Sequence, residues 1–152
     1  MISNTGHGAA FDQAGPDAVT STVQFGDQRG RLLGFPTANL HPARSDRRPH
    51  GVYAAVACAE DGVWWPAAVN VGTRPTFTDG RAKPSIEVHL IGFEGDLYGQ
   101  SLTVRFLERL RDELKFESVD ALVQQLCRDI EAAATIVAGS GVLGEFAAER
   151  SR

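Results

Sequence analysis

Cysteine is scarce. Only Cys58 and Cys127 occur, far apart and without Cys-x-x-Cys spacing, so neither a disulfide framework nor a zinc ribbon is available. Both read as free, buried thiols of a reducing cytoplasm. Positive charge is not in excess either: fifteen Lys and Arg against nineteen Asp and Glu give a net charge of −4 and a pI near 5.5. Such a balance offers no general field for a nucleic-acid backbone. The longest apolar runs, such as Gly51 to Ala59, fall far short of the roughly 20 residues that a membrane-spanning helix needs. Met1 to Gly15 lacks the basic start and the apolar stretch of a secretory signal. What remains is a chain of 152 residues, 43% hydrophobic and 22% charged. That is enough for one domain whose folding removes roughly two-thirds of the unfolded surface from water.

Residues 1–18 are rich in glycine and show little periodicity, and they read as a flexible leader. From Val19 to Phe25 apolar and polar residues alternate as in a strand, and Gly26-Asp27-Gln28-Arg29-Gly30-Arg31-Leu32-Leu33-Gly34 follows as a glycine loop. His41 to His50 reads as a solvated loop carrying Arg44, Arg47 and Arg48. Gly51 to Ala59 and Val63 to Val71 are apolar runs around Glu60-Asp61-Gly62, whose Asp-Gly pair predicts a hairpin. Gly72 to Pro84, with two prolines and two glycines, reads as a long loop. Ser85 to Ile91 alternates again, and Leu102, Val104 and Phe106 mark a further strand. The period then changes: Ser118 is placed as an N-cap, and Val119, Leu122, Val123, Leu126 and Ile130 follow helical spacing. Gly139-Ser140-Gly141 is expected to end that helix, leaving residues 138–152 as a frayed or weakly helical tail. Five or six short strands and then one helix make the chain mainly β. They predict a small antiparallel barrel over 19–137 with the helix packed outside.

Two segments carry groups suited to chemistry. In Gly34-Phe35-Pro36-Thr37-Ala38-Asn39-Leu40, an extended backbone turns the Thr37 hydroxyl and the Asn39 amide to one side. Neutral oxygens of that kind suit Mg²⁺ held together with substrate phosphates. A proline-initiated turn with Asn39 bonded to backbone fits the same residues. The glycine loop lacks the Gly-Lys-Ser/Thr ending of a P-loop and opens no long helix. In Ser85-Ile86-Glu87-Val88-His89-Leu90, alternation sets Glu87 and His89 on one face and the apolar residues on the other. A pocket-facing pair and an ordinary solvent-facing pair both satisfy this pattern.

Taken in order, the segments resemble the riboflavin kinase domain family, from about Val23 to Ile130. The resemblance rests on Gly26, on Gly30-Arg31-Leu32-Leu33-Gly34-Phe35-Pro36-Thr37-Ala38-Asn39, on Gly51-Val52-Tyr53 and on Asn70-Val71-Gly72-Thr73-Arg74-Pro75-Thr76-Phe77. It continues through Glu87-Val88-His89-Leu90, Asp96-Leu97-Tyr98-Gly99 and Leu110-Arg111-Asp112-Glu113-Leu114-Lys115-Phe116. It implies a six-stranded antiparallel Greek-key-type β-barrel with a C-terminal α-helix outside. It also implies ATP-dependent phosphorylation of the ribityl 5′-hydroxyl of riboflavin to FMN. By the same resemblance Glu87 is the base, and Thr37 and Asn39 hold Mg²⁺. Gly26, Arg29, Gly30, Arg31 and Gly34 cover the nucleotide phosphates. Leu90 and Tyr98 line the nucleotide pocket, while Arg111, Leu114 and Phe116 face the flavin. The partners implied are ATP and riboflavin, with no nucleic acid, no membrane and no obligate protein partner.

Gln28 stands where bacterial members often carry a second glycine, which makes the phosphate loop less permissive. The adenylyltransferase half of the bifunctional members has no counterpart in the motifs, so FAD synthesis is not expected of this chain. Two other classes compete with the kinase reading. A non-catalytic flavin- or nucleotide-binding module on the same barrel is one, against which stand the intact Thr37, Asn39 and Glu87. An oligonucleotide-binding barrel is the other, and the acidic balance and scattered aromatics speak against it.

Overall fold

The computed structural model describes residues 17–26, 33–42, 48–75 and 82–151. Within them the chain forms β1 (Ala18–Thr22), β2 (Ala38–Leu40), β3 (Gly51–Cys58), β4 (Trp64–Pro75), β5 (Ala82–Leu90) and β6 (Ser101–Arg111), then helices α1 (Val119–Ser140) and α2 (Val142–Arg150). The six strands make one sheet in the order β1-β6-β3-β4-β5-β2, antiparallel throughout. The meander β3-β4-β5 with β2 returning beside β5 is a Greek key. The open edges meet where Gln24 N donates to Asn39 O at 2.8 Å, which nearly closes the sheet into a barrel.

Alternation decides what fills it. Leu40, Tyr53, Val69, Ile86, Val88, Leu102, Val104 and Phe106 point inward and form the barrel core. β3 is buried along its whole length because its opposite face is covered too. There Val56, Cys58 and Trp64 pack under Val137, Val142 and Phe146 of the helices. The β3–β4 turn forms as its Asp-Gly pair predicts. Gly62 takes φ +78°, and Asp61 Oδ1 accepts from Val63 N at 3.0 Å. Ser118 caps α1, its hydroxyl accepting from Ala121 N at 3.1 Å.

Four expectations need correction. Residues 72–75 and 82–84 are strand rather than loop, with Gly72 opposite Ser85 and Thr73 opposite Pro84. The prolines there sit toward the end of a hairpin, where a missing N–H is tolerated. Strand β1 ends at Thr22, short of Phe25. The tail is helical but neither frayed nor weak: α1 continues to Ser140, Gly141 turns the chain at φ +71°, and α2 runs on to Arg150 with Val142 and Phe146 buried. The stripe overlooked was Val142 and Phe146, four residues apart on one helix face and each 3% exposed, with the Phe146 ring stacked on Trp64 at 4.3 Å between centroids. Finally, Cys58 is buried but Cys127 is exposed, since it falls on the outward face of α1. Burial pushes the Cys58 thiol up to about 12.

Candidate active site

A cavity of about 400 Å³ opens at the end of the barrel where β2 and β5 meet the segment after β6's neighbour β1. Gly26, Thr37, Asn39, Leu90 and Tyr98 all line it, five of the residues singled out by sequence. The loop between β5 and β6 supplies the far wall with Phe93, Glu94 and Asp96. Asp96 Oδ1 accepts from Tyr98 N at 2.9 Å, which holds that loop in shape. The Tyr98 ring stacks on Phe25 at 3.9 Å, and the two remain 51% and 66% exposed. A flat aromatic edge is thus offered to whatever enters.

The opposite wall is built by backbone approach. A Cβ at Gly26 would overlap the Asn39 amide, so only glycine lets the chain lie against that side chain. Asn39 itself is 4% exposed. It belongs to β2, which removes the reading of 37–39 as a turn. His89 fixes the approach from below: Nδ1–H donates to Pro36 O at 2.8 Å, and its ring meets Phe35 edge-on. His89 therefore holds the segment that presents Thr37. Gly34, with φ +88°, turns the chain into this segment without lining the cavity. Arg29, Gly30 and Arg31 lie outside the described residues.

Register brings the second segment in. Asn39 is paired with Glu87, and Glu87 with Asn70, so the three side chains stand in a row across β2, β5 and β4. Their neighbours Leu40, Val88, Val69 and Val71 point into the core, which sets the row on the outer face of the barrel. Carried one strand further the row reaches Val52, and then Arg111. Glu87 and Arg111 are thus three strand spacings apart, on the order of 14 Å.

The Arg111 end is organised differently. Its Nε and Nη2 donate to the two oxygens of Asp129 at 2.9 and 2.7 Å, and Nη1 donates to Asp112 O at 2.9 Å. Gln125 Nε2 adds a third donor to Asp129 at 3.0 Å. Asp129 is the most enclosed carboxylate of α1, at 4% exposure. The guanidinium expected to face a flavin is committed to tying β6 to α1. Below it, Glu113 lies against Gly72, where a Cβ would come within 2.9 Å of the carboxylate, and 3.6 Å from His50 Nδ1. Arg109 bonds to His50 O and to the Asp112 carboxylate, whose hydrogen bond raises the Arg109 pKa. These ties hold residues 112–116 as a bracket, with Leu114 54% exposed and Phe116 beside Arg111 at 5.9 Å. Val119, which helical spacing placed on the apolar stripe of α1, is instead 60% exposed. Asn70, Phe25 and Phe93 were missed as site residues. Asn70 opens one of the segments that carry the family resemblance, but only cross-strand register sets it beside Glu87.

For a metal, the described residues contain no group of three or more His, Cys, Asp or Glu side chains converging on one point. The Thr37 hydroxyl and the Asn39 amide, on one wall of one cavity, are a neutral donor pair. Such a pair is too weak to retain a divalent ion alone and is suited to Mg²⁺ that arrives with phosphates.

The riboflavin kinase family model, Flavokinase, matches residues 15–137. The chain belongs to the riboflavin kinase family. It is 41% identical over 125 residues to the bifunctional riboflavin kinase/FMN adenylyltransferase of Pseudomonas fluorescens, covering 82% of this chain and 40% of that protein. With the enzyme of the same description from Escherichia coli K12 it is 39% identical over 114 residues, 75% of this chain and 36% of that one. The chain therefore spans about 40% or less of the length of these relatives. Among solved structures, a macrolide-efflux protein from Streptococcus pneumoniae superposes with a TM-score of 0.70 at 37% identity, over 77% of this chain and 38% of that one. Riboflavin kinase from Trypanosoma brucei superposes with a TM-score of 0.53 at 20% identity, over 79% and 78% of the two chains, which supports the fold alone. Among the described residues no single helix is long and apolar enough to cross a membrane. For the riboflavin kinase family the six-stranded barrel with an outer C-terminal helix is the fold expected, and it is the fold observed.

Proposed function

We propose that this chain is an ATP-dependent riboflavin kinase that transfers the γ-phosphoryl group of ATP to the ribityl 5′-hydroxyl, giving FMN and ADP. The observation that carries the reading is the pairing of Asn39 with Glu87 beside a cavity that Thr37 also lines. That pairing supports the reading, because the reaction needs a carboxylate next to the groups that face the phosphates.

In this reading the nucleotide occupies the cavity, its base against Leu90 and the Tyr98 ring, its phosphates toward Gly26, Thr37 and Asn39. Arg29, Gly30, Arg31 and Gly34 belong to the loop that covers the phosphates. Thr37 and Asn39 would hold Mg²⁺, which when bound supplies neutralisation of phosphate charge. Riboflavin approaches along the outer face from the bracket, with Leu114 and Phe116 against its ring system. Glu87 accepts the proton of the 5′-hydroxyl as that oxygen bonds to phosphorus and the β–γ bridging oxygen leaves with ADP. Phosphoryl transfer passes through a loose transition state, so the proton moves late and the base need not be strong. Positioning carries most of the catalysis. Arg111 acts from behind, by fixing the bracket through Asp129. The setting expected for this chemistry is the cytoplasm.

The test is direct: incubate the protein with riboflavin, ATP and Mg²⁺ and separate the flavins. FMN that forms only with all three supports the reading. Riboflavin and nucleotide bound without FMN would make the chain a non-catalytic binding module. A parallel run with CTP reports on the nucleotide choice.

A further inference from the structure

The row across β2, β5 and β4 has a third member for which the mechanism above has no use. Asn70 stands beside Glu87 on the side away from Asn39, and so on the side from which the flavin comes. Its Oδ1 is buried and has no hydrogen-bond partner among the described residues. A buried amide oxygen without a donor is destabilising, and native structures keep few of them. Leucine has nearly the same shape and would carry no such penalty. On the outer face Asn70 stands between Val52 and Glu87, with Ala68 and Gly72 next to it along its own strand.

The residue as a whole is only partly buried, so the amide has one edge toward the surface and one toward the sheet. Its last torsion is broad and nearly two-fold, and a half-turn exchanges the two edges at small cost. In one state the amide offers two N–H donors outward, in the other a carbonyl oxygen. A hydroxyl both donates and accepts, so either state can meet it. The amide is also neutral, and it neither competes with Glu87 for a proton nor repels a carboxylate one strand spacing away, about 5 Å.

Resting on the riboflavin kinase reading, we infer that Asn70 is the residue that grips the polyol chain of riboflavin, holding its terminal hydroxyl over Glu87. The row then runs in the order of the reaction: Asn39 toward the phosphates, Glu87 at the hydroxyl, Asn70 on the hydroxylated chain, and Val52 with the bracket 112–116 under the ring system. The polyol meets the outward edge of the amide, whichever of its two groups the rotamer presents there.

The proposal is tested with Asn70→Leu and Asn70→Ser, measuring thermal midpoint, steady-state constants for riboflavin and ATP, and binding of lumiflavin, which has the isoalloxazine ring but no polyol. Asn70→Leu is expected to raise the thermal midpoint. Its KM for riboflavin should rise about tenfold while that for ATP stays within about twofold, the loss of one hydrogen-bonded contact. Lumiflavin binding should be unchanged. Asn70→Ser, which keeps a hydroxyl, should fall between the two, and it decides by the same ratio of riboflavin to lumiflavin affinity if the leucine variant does not fold. Equal weakening of riboflavin and lumiflavin with a lowered midpoint would assign Asn70 to the scaffold and overturn the proposal. So would an unchanged KM for riboflavin in variants of a parent that makes FMN. A parent that neither binds riboflavin nor makes FMN would remove the kinase reading itself, and this inference with it.

Discussion

The two ends of the polar row are built by opposite means. At the Asn39 end glycine backbone, neutral side chains and exposed aromatic rings surround an open cavity, with Glu94 and Asp96 on its far wall. At the Arg111 end the charges are tied pairwise, Arg111 to Asp129 and Arg109 to Asp112, while apolar Leu114 and Val119 face outward. A flat heterocycle brings little charge, and what it needs is an apolar surface held still. Among the described residues, opposite charges are paired to hold the bracket, whereas Thr37 and Asn39 meet the cavity as neutral dipoles.

The largest effect should come at the boundary between the two ends. Glu87→Gln is expected to lower turnover by about 10²-fold or more while leaving both KM values within a few-fold, the pattern for loss of a base. Turnover equal to that of the parent would remove Glu87 from the chemistry. Next is the bracket. Asp129→Ala leaves the Arg111 guanidinium without its carboxylate in a largely buried place and should cost about 3–5 kcal/mol of folding stability, read by denaturant unfolding. A loss of riboflavin affinity without any loss of stability would instead put Arg111 in contact with the flavin. Asn39→Ala should behave in the contrary way, raising the KM for ATP about tenfold with little change in that for riboflavin. If the riboflavin constant moved as much as the ATP constant, the two ends would not be separate.

Much of this was legible in the residues. Alternation and the Asp-Gly turn predicted β3 and β4, Ser118 announced the helix, and Thr37 with Asn39 were recognisable because their chemistry is local to one extended segment. What stayed hidden depends on register. Asn70 was visible only as the start of one segment of the family resemblance, and its place opposite Glu87 comes from cross-strand register. Arg111 was placed on the flavin side without its partner because Asp129 lies 18 residues further on, across a loop and nearly three helical turns. The second helix was missed because glycine at 139 and 141 looks like an ending, whereas Phe146 and its partner Trp64 are joined only by folding.

The smallest effect lies at the thiols, far from both ends. In the native protein one thiol, Cys127, should react with a disulfide reagent, and a second only after unfolding. The folded-state pKa of Cys58, pushed from the ordinary 9.0 to about 12 by burial, lies above its unfolded value. Its contribution to stability is therefore complete below pH 9 and declines as pH rises toward 12. Cys58→Ala should flatten that part of the curve relative to the parent.

Because main chain at Gly26 presses directly on Asn39, that side of the cavity cannot be retuned by exchanging side chains: any replacement would intrude before it could contribute a contact. Adaptation to another nucleotide has only the facing surface to work with, where Leu90, Phe93 and Tyr98 can vary in size and polarity. Laboratory evolution toward a different phosphate donor should accumulate its changes there and leave position 26 untouched.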